Sequence, residues 1–179
     1  MDPEVLITIA EVLSIIGSLI FILSALIKQK QKVMVLHCFA HIIFIFSEAV
    51  KGLWGSIIQE IFNIARNFTI IIKKNNKIMN IIFVILSLVI GVLVNILTRP
   101  EGTPIFGLWY GYFSIIGTFQ FSIVTLYSEN IKHIKISQGL FGILWGLTFT
   151  FGGLLVAGIL NFINGALAFI SIFFIAKNK

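Results

Sequence analysis

The sequence predicts an all-α membrane protein with seven transmembrane helices, arranged as two parallel three-helix repeats joined by a connector helix. Composition, the placement of charge and an internal repeat predict this class. Of the 179 residues, 58% are hydrophobic and 11% are charged, whereas soluble globular domains carry about 25% charged residues. The apolar residues form long blocks separated by short charged loops, which is typical of helical proteins that cross the membrane several times.

Seven apolar blocks approach the ~20 residues that a helix needs to cross ~30 Å of hydrocarbon. The first block is too long for the core of a signal peptide and lacks a basic leader, so we expect a retained span. Glycine-marked turns separate the second block from the third and the sixth from the seventh. The sixth block is the shortest. The predicted spans are 5–27, 33–50, 56–72, 78–98, 107–127, 136–151 and 154–176.

The placement of basic residues favours seven spans and sets their orientation. With seven spans, ten basic residues fall on one side of the membrane, two fall on the other and Arg66 lies within a span, which accounts for all 13 Lys and Arg. The positive-inside rule predicts that the ten are cytoplasmic, with the N-terminus outside and the C-terminus inside the cytoplasmic (inner) membrane. The net charge of +6 is therefore interpreted as a topology signal and predicts no nucleic-acid partner. The ten are Lys28, Lys30, Lys32, Lys73, Lys74, Lys77, Lys132, Lys135, Lys177 and Lys179, and the two are Lys51 and Arg99.

Two short motifs recur in the same order at nearly the same shift. Ser-Ile-Ile-Gly-Ser at 14–18 returns as Ser-Ile-Ile-Gly-Thr at 114–118, and Phe-Asn-Ile-Ala-Arg-Asn at 62–67 resembles Leu-Asn-Phe-Ile-Asn-Gly at 160–165. Spans one to three thus correspond to spans five to seven. A three-span unit starts outside and ends inside, so a connector span is needed to make the second copy parallel to the first. The predicted units are the first repeat at 1–77, the connector helix and outer loop at 78–104, and the second repeat at 105–179.

Amide side chains in the third and last spans are the candidate substrate-binding residues. Gln59, Asn63 and Arg66 share one face of the third span, and the repeat places Asn161 and Asn164 similarly in the last span. Substrate sites of repeat transporters lie near the midplane at repeat interfaces. Amides supply both donors and acceptors, which suits a neutral polar solute. The alternative is that these amides only hold helices together by hydrogen bonds.

Charged side chains within spans require compensation, because each costs roughly 2.5–3.5 kcal/mol in hydrocarbon on insertion scales. Glu60 and Arg66 are predicted coupling or structural charges, although Arg66 also lies within snorkelling reach of the cytoplasmic interface. His41 either forms a proton relay with Glu60 or Glu48, or donates one structural hydrogen bond. His37, near a basic loop, is expected at the interface.

Two further predictions concern the shape and movement of the bundle. Trp145 lies in the middle of its span and not at an interface, so it is a candidate for the floor of a solute cavity. Gly17 and Gly117 occupy equivalent positions in the middle of the first and fifth spans and are candidate hinges, since glycine weakens a helix.

The sequence gives little support for enzyme activity. No nucleophile elbow, phosphate loop, metalloprotease helix or pair of catalytic carboxylates is present, so we expect no catalytic residues. Cys38 is the only cysteine, and two histidines without a third ligand make a poor metal site, so no metal and no cofactor are expected. The expected partners are the lipid bilayer and an unidentified small solute, with homo-oligomerisation left open.

The layout is similar to the SWEET sugar transporters, whose bacterial half-size relatives, the SemiSWEETs, dimerise a single three-helix unit. The sequence more closely resembles the bacterial YgjV family of inner-membrane proteins, in Gly17 of the first span, His41 of the second, Asn63-Ile64-Ala65-Arg66 in the third and the asparagines of the last. The resemblance implies a three-plus-one-plus-three fold, while the YgjV family implies no substrate. Two features depart from these families: the three prolines all lie outside spans, where SWEET-type first spans carry one, and Trp145 is followed by glycine, where YgjV relatives have histidine.

These observations predict a transporter of small neutral polar or sugar-like solutes that alternates access about a central cavity between the repeats. The alternative prediction is a membrane protein that transports nothing and serves as a structural or regulatory subunit. The identity of the solute and any coupling to protons are left open by the sequence.

Overall fold

The computed structural model describes residues 3–72, 76–104 and 107–177, and the secondary structure in these ranges consists of helices without strands. Seven α-helices correspond in order to the seven predicted spans. They are α1 (Pro3–Ala25), α2 (Lys30–Val50), α3 (Trp54–Ile71), α4 (Lys77–Leu97), α5 (Gly111–Tyr127), α6 (Ile131–Phe151) and α7 (Leu155–Lys177).

The turns between the second and third helices and between the sixth and seventh each contain a glycine with a positive φ. Gly52, between α2 and α3, has φ 67°, and Gly153, between α6 and α7, has φ 83°. Side chains disfavour this left-handed region, which glycine occupies without steric cost. The two glycine-marked turns are therefore confirmed.

The sixth helix begins five residues earlier than the predicted start at 136. Asn130 caps it, because its side-chain Oδ1 accepts a hydrogen bond from the Lys132 backbone N–H at 3.0 Å. Ile134 and Lys135 are consequently buried within the first turns of α6. The prediction that Lys135 lies in a cytoplasmic loop is wrong, because this lysine is a helical residue with its ammonium group inside the bundle.

Among the residues that the structure describes, five helices are long and apolar enough to cross a membrane: α1, α2, α4, α6 and α7. The two others are shorter, at 18 residues for α3 and 17 for α5. Large apolar side chains such as Leu23, Phe46 and Phe173 are exposed on the outer surface of the bundle, where hydrocarbon solvates them better than water. The described part of the chain is thus all-helical, and its apolar helices indicate a multi-pass membrane protein.

Six helices form a closed ring, and the remaining helix, α4, lies outside it. The order around the ring is α1, α2, α3, α5, α6 and α7, with α7 returning to α1, and α4 packs only against α3 and α5 among the principal contacts. In this order α3 and α7 are on opposite sides of the ring, as are α2 and α6. The contact of α3 with α5 therefore has a counterpart in the contact of α7 with α1.

A cluster of five aromatic side chains crosses the ring, and we call it the aromatic cluster. It consists of Phe21 from α1, Phe44 from α2, and Phe141, Trp145 and Phe149 from α6, all buried. Taken in the order 21, 44, 149, 145, 141 and back to 21, successive ring centroids are 5.6, 4.9, 5.4, 5.6 and 5.8 Å apart. These separations are typical of favourable aromatic pairs. The cluster fills space between helices that face each other across the ring.

Candidate functional site

Two hydrogen bonds join the predicted asparagines to the other half of the chain. Asn63 Nδ2 in α3 donates to Thr118 Oγ1 in α5 at 3.2 Å, and Asn161 Nδ2 in α7 donates to Ser18 Oγ in α1 at 3.1 Å. Asn161 follows Asn63 by 98 residues and Thr118 follows Ser18 by 100, so the two bonds occupy equivalent positions. Each recurring asparagine motif therefore contacts the recurring Ser-Ile-Ile-Gly motif of the opposite half.

All five predicted substrate-binding residues are buried, and each has a polar atom without a hydrogen-bond partner among the described residues. A buried polar group left unpaired costs roughly 1–3 kcal/mol. Native proteins contain few such groups, and each requires an explanation, such as a bound water molecule, an ion or a functional role. The atoms are Gln59 Oε1, Asn63 Oδ1, Asn161 Oδ1, Asn164 Nδ2 and Trp145 Nε1.

Gln59 and Asn164 are also fixed by bonds to different helices. Gln59 Nε2 donates to the Ser87 carbonyl of α4 at 3.0 Å, so this end of the side chain is directed out of the ring. Asn164 Oδ1 accepts from Gln138 Nε2 of α6 at 3.3 Å. The five predicted residues are consequently distributed over several helix interfaces, with Asn63 and Asn161 at the two interfaces between the halves.

Gly17 and Gly117 make room for aromatic rings of the neighbouring helix. A Cβ on Gly17 would lie 2.8 Å from Phe44 Cε1, and a Cβ on Gly117 would lie 3.2 Å from Trp145 Cδ1. Trp145 follows Phe44 by 101 residues, so these close contacts are also in equivalent positions. Both α1 and α5 are continuous at these glycines, and their role as hinges stays a prediction.

Arg66 is held inside the bundle and does not reach an interface. Its Nε and Nη2 donate to Asn67 Oδ1 at 3.0 and 2.8 Å, and Nη1 donates to Ser122 Oγ of α5 at 3.0 Å. The guanidinium also lies 4.7 Å from the centre of the Phe121 ring, within the range of a cation–π contact. The snorkelling alternative is wrong, since the side chain is fully buried.

The structure pairs His41 with Glu60. His41 Nδ1 on α2 contacts Glu60 Oε2 on α3, and both side chains are inaccessible to solvent. His37, one turn before His41, was expected at the interface but is also buried, because its Nε2 shares a 2.8 Å hydrogen bond with Ser24 Oγ of α1. That expectation is wrong. Glu48 is buried as well, near the end of α2.

The sequence did not reveal a polar group at the start of α6. Lys135 Nζ donates to the Ser24 carbonyl at 2.8 Å and to Gln138 Oε1 at 3.1 Å, and Gln138 Nε2 donates to Ser24 Oγ at 2.8 Å. The helix cap at Asn130 was the available signal that α6 begins before Lys135. A basic residue beside a loop is otherwise assigned to solvent by its charge.

Two cavities open near one end of the bundle. A cavity of about 230 Å³ lies among the ends of α1, α6 and α7, where Lys28, Lys135 and Ser171 contribute its polar groups. A cavity of about 540 Å³ lies among α3, α4 and α5 beside Thr69, Asn76 and several apolar side chains. Neither of these two cavities is lined by the five predicted substrate-binding residues.

Comparisons of this chain with protein-family models, with curated proteins and with solved structures find no match. Within the described ranges, no group of three or more His, Cys, Asp or Glu side chains is placed to hold a metal ion.

Proposed function

We propose that this protein transports a small neutral polar solute, such as a sugar-like molecule, across the cytoplasmic membrane. The observation that carries the proposal is the unpaired polar atom on each of the five predicted binding residues. Three of these atoms are amide acceptors and two are N–H donors. A solute with hydroxyl or amide groups offers both complementary types, and binding sites commonly combine apolar walls with a few convergent polar groups.

The proposed architecture consists of two parallel three-helix repeats with α4 as the connector, as in the SWEET-like layout, and we propose YgjV-type proteins as the relatives. Two findings support the repeat: the equivalent bonds of Asn63 and Asn161, and the equivalent contacts of Gly17 and Gly117 with aromatic rings. The ring order agrees, because a two-fold axis along the membrane normal would exchange the α3–α5 contact with the α7–α1 contact.

The proposed orientation places the N-terminus outside and the C-terminus in the cytoplasm. It is supported by the positive-inside rule, by Lys28 of the first connection, by Lys30 and Lys32 in the first turn of α2, and by Lys132 in the first turn of α6. Lys73, Lys74 and Lys179, which belong to the same predicted group, lie outside the described residues. Both cavities then open toward the cytoplasmic end.

Alternating access about the centre of the ring requires the aromatic cluster to separate. Its contacts between the halves, such as Phe44 with Phe149 at 4.9 Å and Phe21 with Phe141 at 5.8 Å, close the space between facing helices. Gly17 and Gly117 are the proposed flexible points, since they lie against the rings that must move. Asn63 and Asn161 bond between the halves, so a change in the angle between the repeats would change the access to both.

The second candidate is a membrane protein without transport activity, in which the amides only fasten helices. The bonded ends of Asn63 and Asn161 favour it, because each already joins two helices. The unbonded carbonyl ends are what this candidate leaves unexplained.

Ligand-induced stabilisation distinguishes the two candidates. Purified protein is screened by thermal shift against sugars, polyols and small amides, since a ligand at 100 times its Kd stabilises the folded state by about 2.7 kcal/mol. We expect one solute class to raise the melting temperature of the wild type, and the shift to be lost in Asn63→Ala and Asn161→Ala. Asn95→Ala is the matched control. Asn95 Nδ2 of α4 also donates a hydrogen bond to a distant part of the chain, the Leu108 carbonyl before α5, at 3.1 Å and away from the proposed site. Equal shifts in all three variants would reject the site.

A further inference from the structure

A row of buried titratable side chains extends along the first half of the protein. His37, His41 and Glu48 lie on α2, and Glu60 of α3 contacts His41. His37 and Glu48 are eleven positions apart, which corresponds to about 16 Å of helix axis at 1.5 Å per residue. None of the four side chains has more than 1% of its surface exposed.

The hydrogen bonds around Ser24 determine which nitrogen of His37 carries a proton. Gln138 must present its N–H₂ to Ser24, because Lys135 donates to its oxygen. The Ser24 hydroxyl has one hydrogen, which it donates to the Phe21 carbonyl at 2.7 Å, so it accepts from both Gln138 and His37. His37 is therefore protonated at Nε2, and its Nδ1 is an acceptor.

A second nitrogen without a hydrogen-bond partner belongs to the neighbouring His41 ring. His37 Nδ1 and His41 Nε2 have no hydrogen-bond partner within the described part of the chain, and the two rings lie 5.9 Å apart at their centroids. One bridging water or a ring rotation spans a separation of this size. His41 Nδ1, on the other side of the ring, contacts Glu60 Oε2.

Glu48 extends the row toward the other end of α2. It lies seven residues after His41 on α2, about 10 Å along the helix axis, and both of its carboxyl oxygens lack a hydrogen-bond partner among the described residues. It lies two residues before Val50, the last residue of α2. At the opposite end of the row, Ser24 is followed directly by Ala25, which lines the 230 Å³ cavity together with Lys135.

The second half of the protein shows that the fold does not require these charges. Helices α2 and α6 begin and end 101 residues apart, so Gly142 corresponds to His41, and the 98-residue shift of α3 and α7 matches Gly158 to Glu60. A Cβ on Gly142 would lie 2.8 Å from the Asn161 carbonyl, so close backbone packing replaces the polar pair. Buried ion pairs often stabilise less than apolar packing of the same volume, and a structural role alone therefore does not explain the row.

The other charged groups near the row come from α3 and α6. The charge of Arg66 on α3 is close enough to affect His37, His41 and Glu60 electrostatically, and the charge of Lys135 on α6 affects His37. The groups that face the histidines from α1 and α5 are the rings of Phe21 and Phe121, which do not titrate, and α6 contributes the Phe141 ring.

We propose that Glu48, Glu60, His41 and His37 form a proton-conducting chain between the outer end of α2 and the cavity lined by Lys135. A proton on Glu48 passes through bridging water to Glu60 and then from Glu60 Oε2 to His41 Nδ1. His41 releases the proton on its Nε2 to His37 Nδ1 through a bridging water. His37 releases its Nε2 proton to the Ser24 hydroxyl, and this hydroxyl gives up its own hydrogen, which is bonded to the Phe21 carbonyl, to water in the cavity. Each ring gains one proton and loses one, and rotation of the rings restores the starting tautomers. Conduction requires no solute, so this activity is independent of the proposed transport function.

Proton flux into liposomes tests the chain directly. Protein is reconstituted with a pH-sensitive dye inside, and a potassium diffusion potential set by valinomycin drives protons inward. We expect the wild type to acidify the lumen faster than protein-free liposomes, and Glu60→Gln and Glu48→Gln to reduce the protein-dependent rate at least tenfold. Glu11→Gln is the matched control, because Glu11 is half exposed, lies outside the row and should leave the rate unchanged. A wild-type rate equal to that of protein-free liposomes, or equal rates in all variants, overturns the proposal.

A second measurement on the wild type covers the case in which the variants do not fold. Dicyclohexylcarbodiimide modifies protonated carboxyl groups in apolar surroundings, and mass spectrometry of peptides locates the adduct. We expect modification at Glu60 or Glu48 together with loss of proton flux. Loss of flux without modification of either residue, or modification that leaves the flux intact, contradicts the proposed chain.

Discussion

Replacement of Gly17 by alanine tests the packing of the aromatic cluster. The added Cβ would lie 2.8, 3.0 and 3.1 Å from Cε1, Cζ and Cδ1 of Phe44. Phe44 cannot simply turn away, because Phe21 stacks on it at 5.6 Å and Phe149 lies at 4.9 Å. Overpacking a well-packed core costs about 1–3 kcal/mol, and replacing a helical glycine by alanine recovers about 0.8–1.0 kcal/mol. We therefore expect a net destabilisation of about 0–2 kcal/mol.

The equivalent substitution in the second half provides the control. At Gly117 the nearest atoms to an added Cβ are Trp145 Cδ1 at 3.2 Å and Leu144 Cβ at 3.3 Å, so a small shift relieves the contact. We expect Gly117→Ala to have nearly wild-type stability, because the gain in helix propensity offsets the weaker clash.

A double-mutant cycle with Phe44→Leu separates the clash from other effects of alanine. Denaturant unfolding in detergent micelles gives the free energy of unfolding of the two single variants and the double variant. Leucine removes the ring atoms that the new methyl group meets, so we expect a coupling energy of at least about 1 kcal/mol between Gly17 and Phe44. A Gly17→Ala variant that is more stable than the wild type, or additive effects in the cycle, would refute the packing argument. A loss of uptake without loss of stability would instead favour the hinge.

Three further predictions follow from named contacts. Glu60→Leu, which leaves His41 Nδ1 without a partner, should lower the free energy of unfolding by about 1–3 kcal/mol. Glu129→Gln, which breaks the exposed 2.7 Å pair with Lys30, should change it by at most about 1 kcal/mol, and a larger loss from Glu129→Gln than from Glu60→Leu would contradict the assigned burial. Arg66→Lys should lower the free energy of unfolding by about 1–3 kcal/mol, because lysine cannot reproduce the bonds to both Asn67 and Ser122 of α5. An unchanged denaturant midpoint would contradict the importance of these bonds. A cysteine placed at Lys30 in a cysteine-free background should resist an impermeant thiol reagent added outside intact cells, and its labelling would reverse the proposed orientation.

The number and order of helices could be predicted from the sequence, because long apolar blocks and glycine turns are local features. The recurrence of the Asn63 motif at Asn161 is also visible in the sequence, and each of the two asparagines bonds to the other half of the chain. The start of α6 differs from the prediction because the predicted span begins after the charged residues and leaves out the turn that Asn130 caps. The burial of Lys135 depends on the Ser24 carbonyl, which is distant along the chain, so no local pattern reveals it.

The ring order and the aromatic cluster could not be predicted for a related reason. Phenylalanine is common throughout this sequence, and nothing local distinguishes Phe44, which is buried, from Phe46, which is 62% exposed. Only the orientation of α2 in the ring decides between them. The pairing of His41 with Glu60 in preference to Glu48 likewise depends on how α2 and α3 are set against each other.

Solute uptake is the most direct test of the proposed transport function. Proteoliposomes are incubated with a defined mixture of sugars, polyols and small amides, washed, and their contents are identified by mass spectrometry. At least one solute should accumulate above the level in protein-free liposomes, and its uptake should be lost in Asn63→Ala and Asn161→Ala but retained in Asn95→Ala. If folded wild-type protein retains no solute above that level, or if both site variants transport as well as the wild type, the proposed transport site is contradicted.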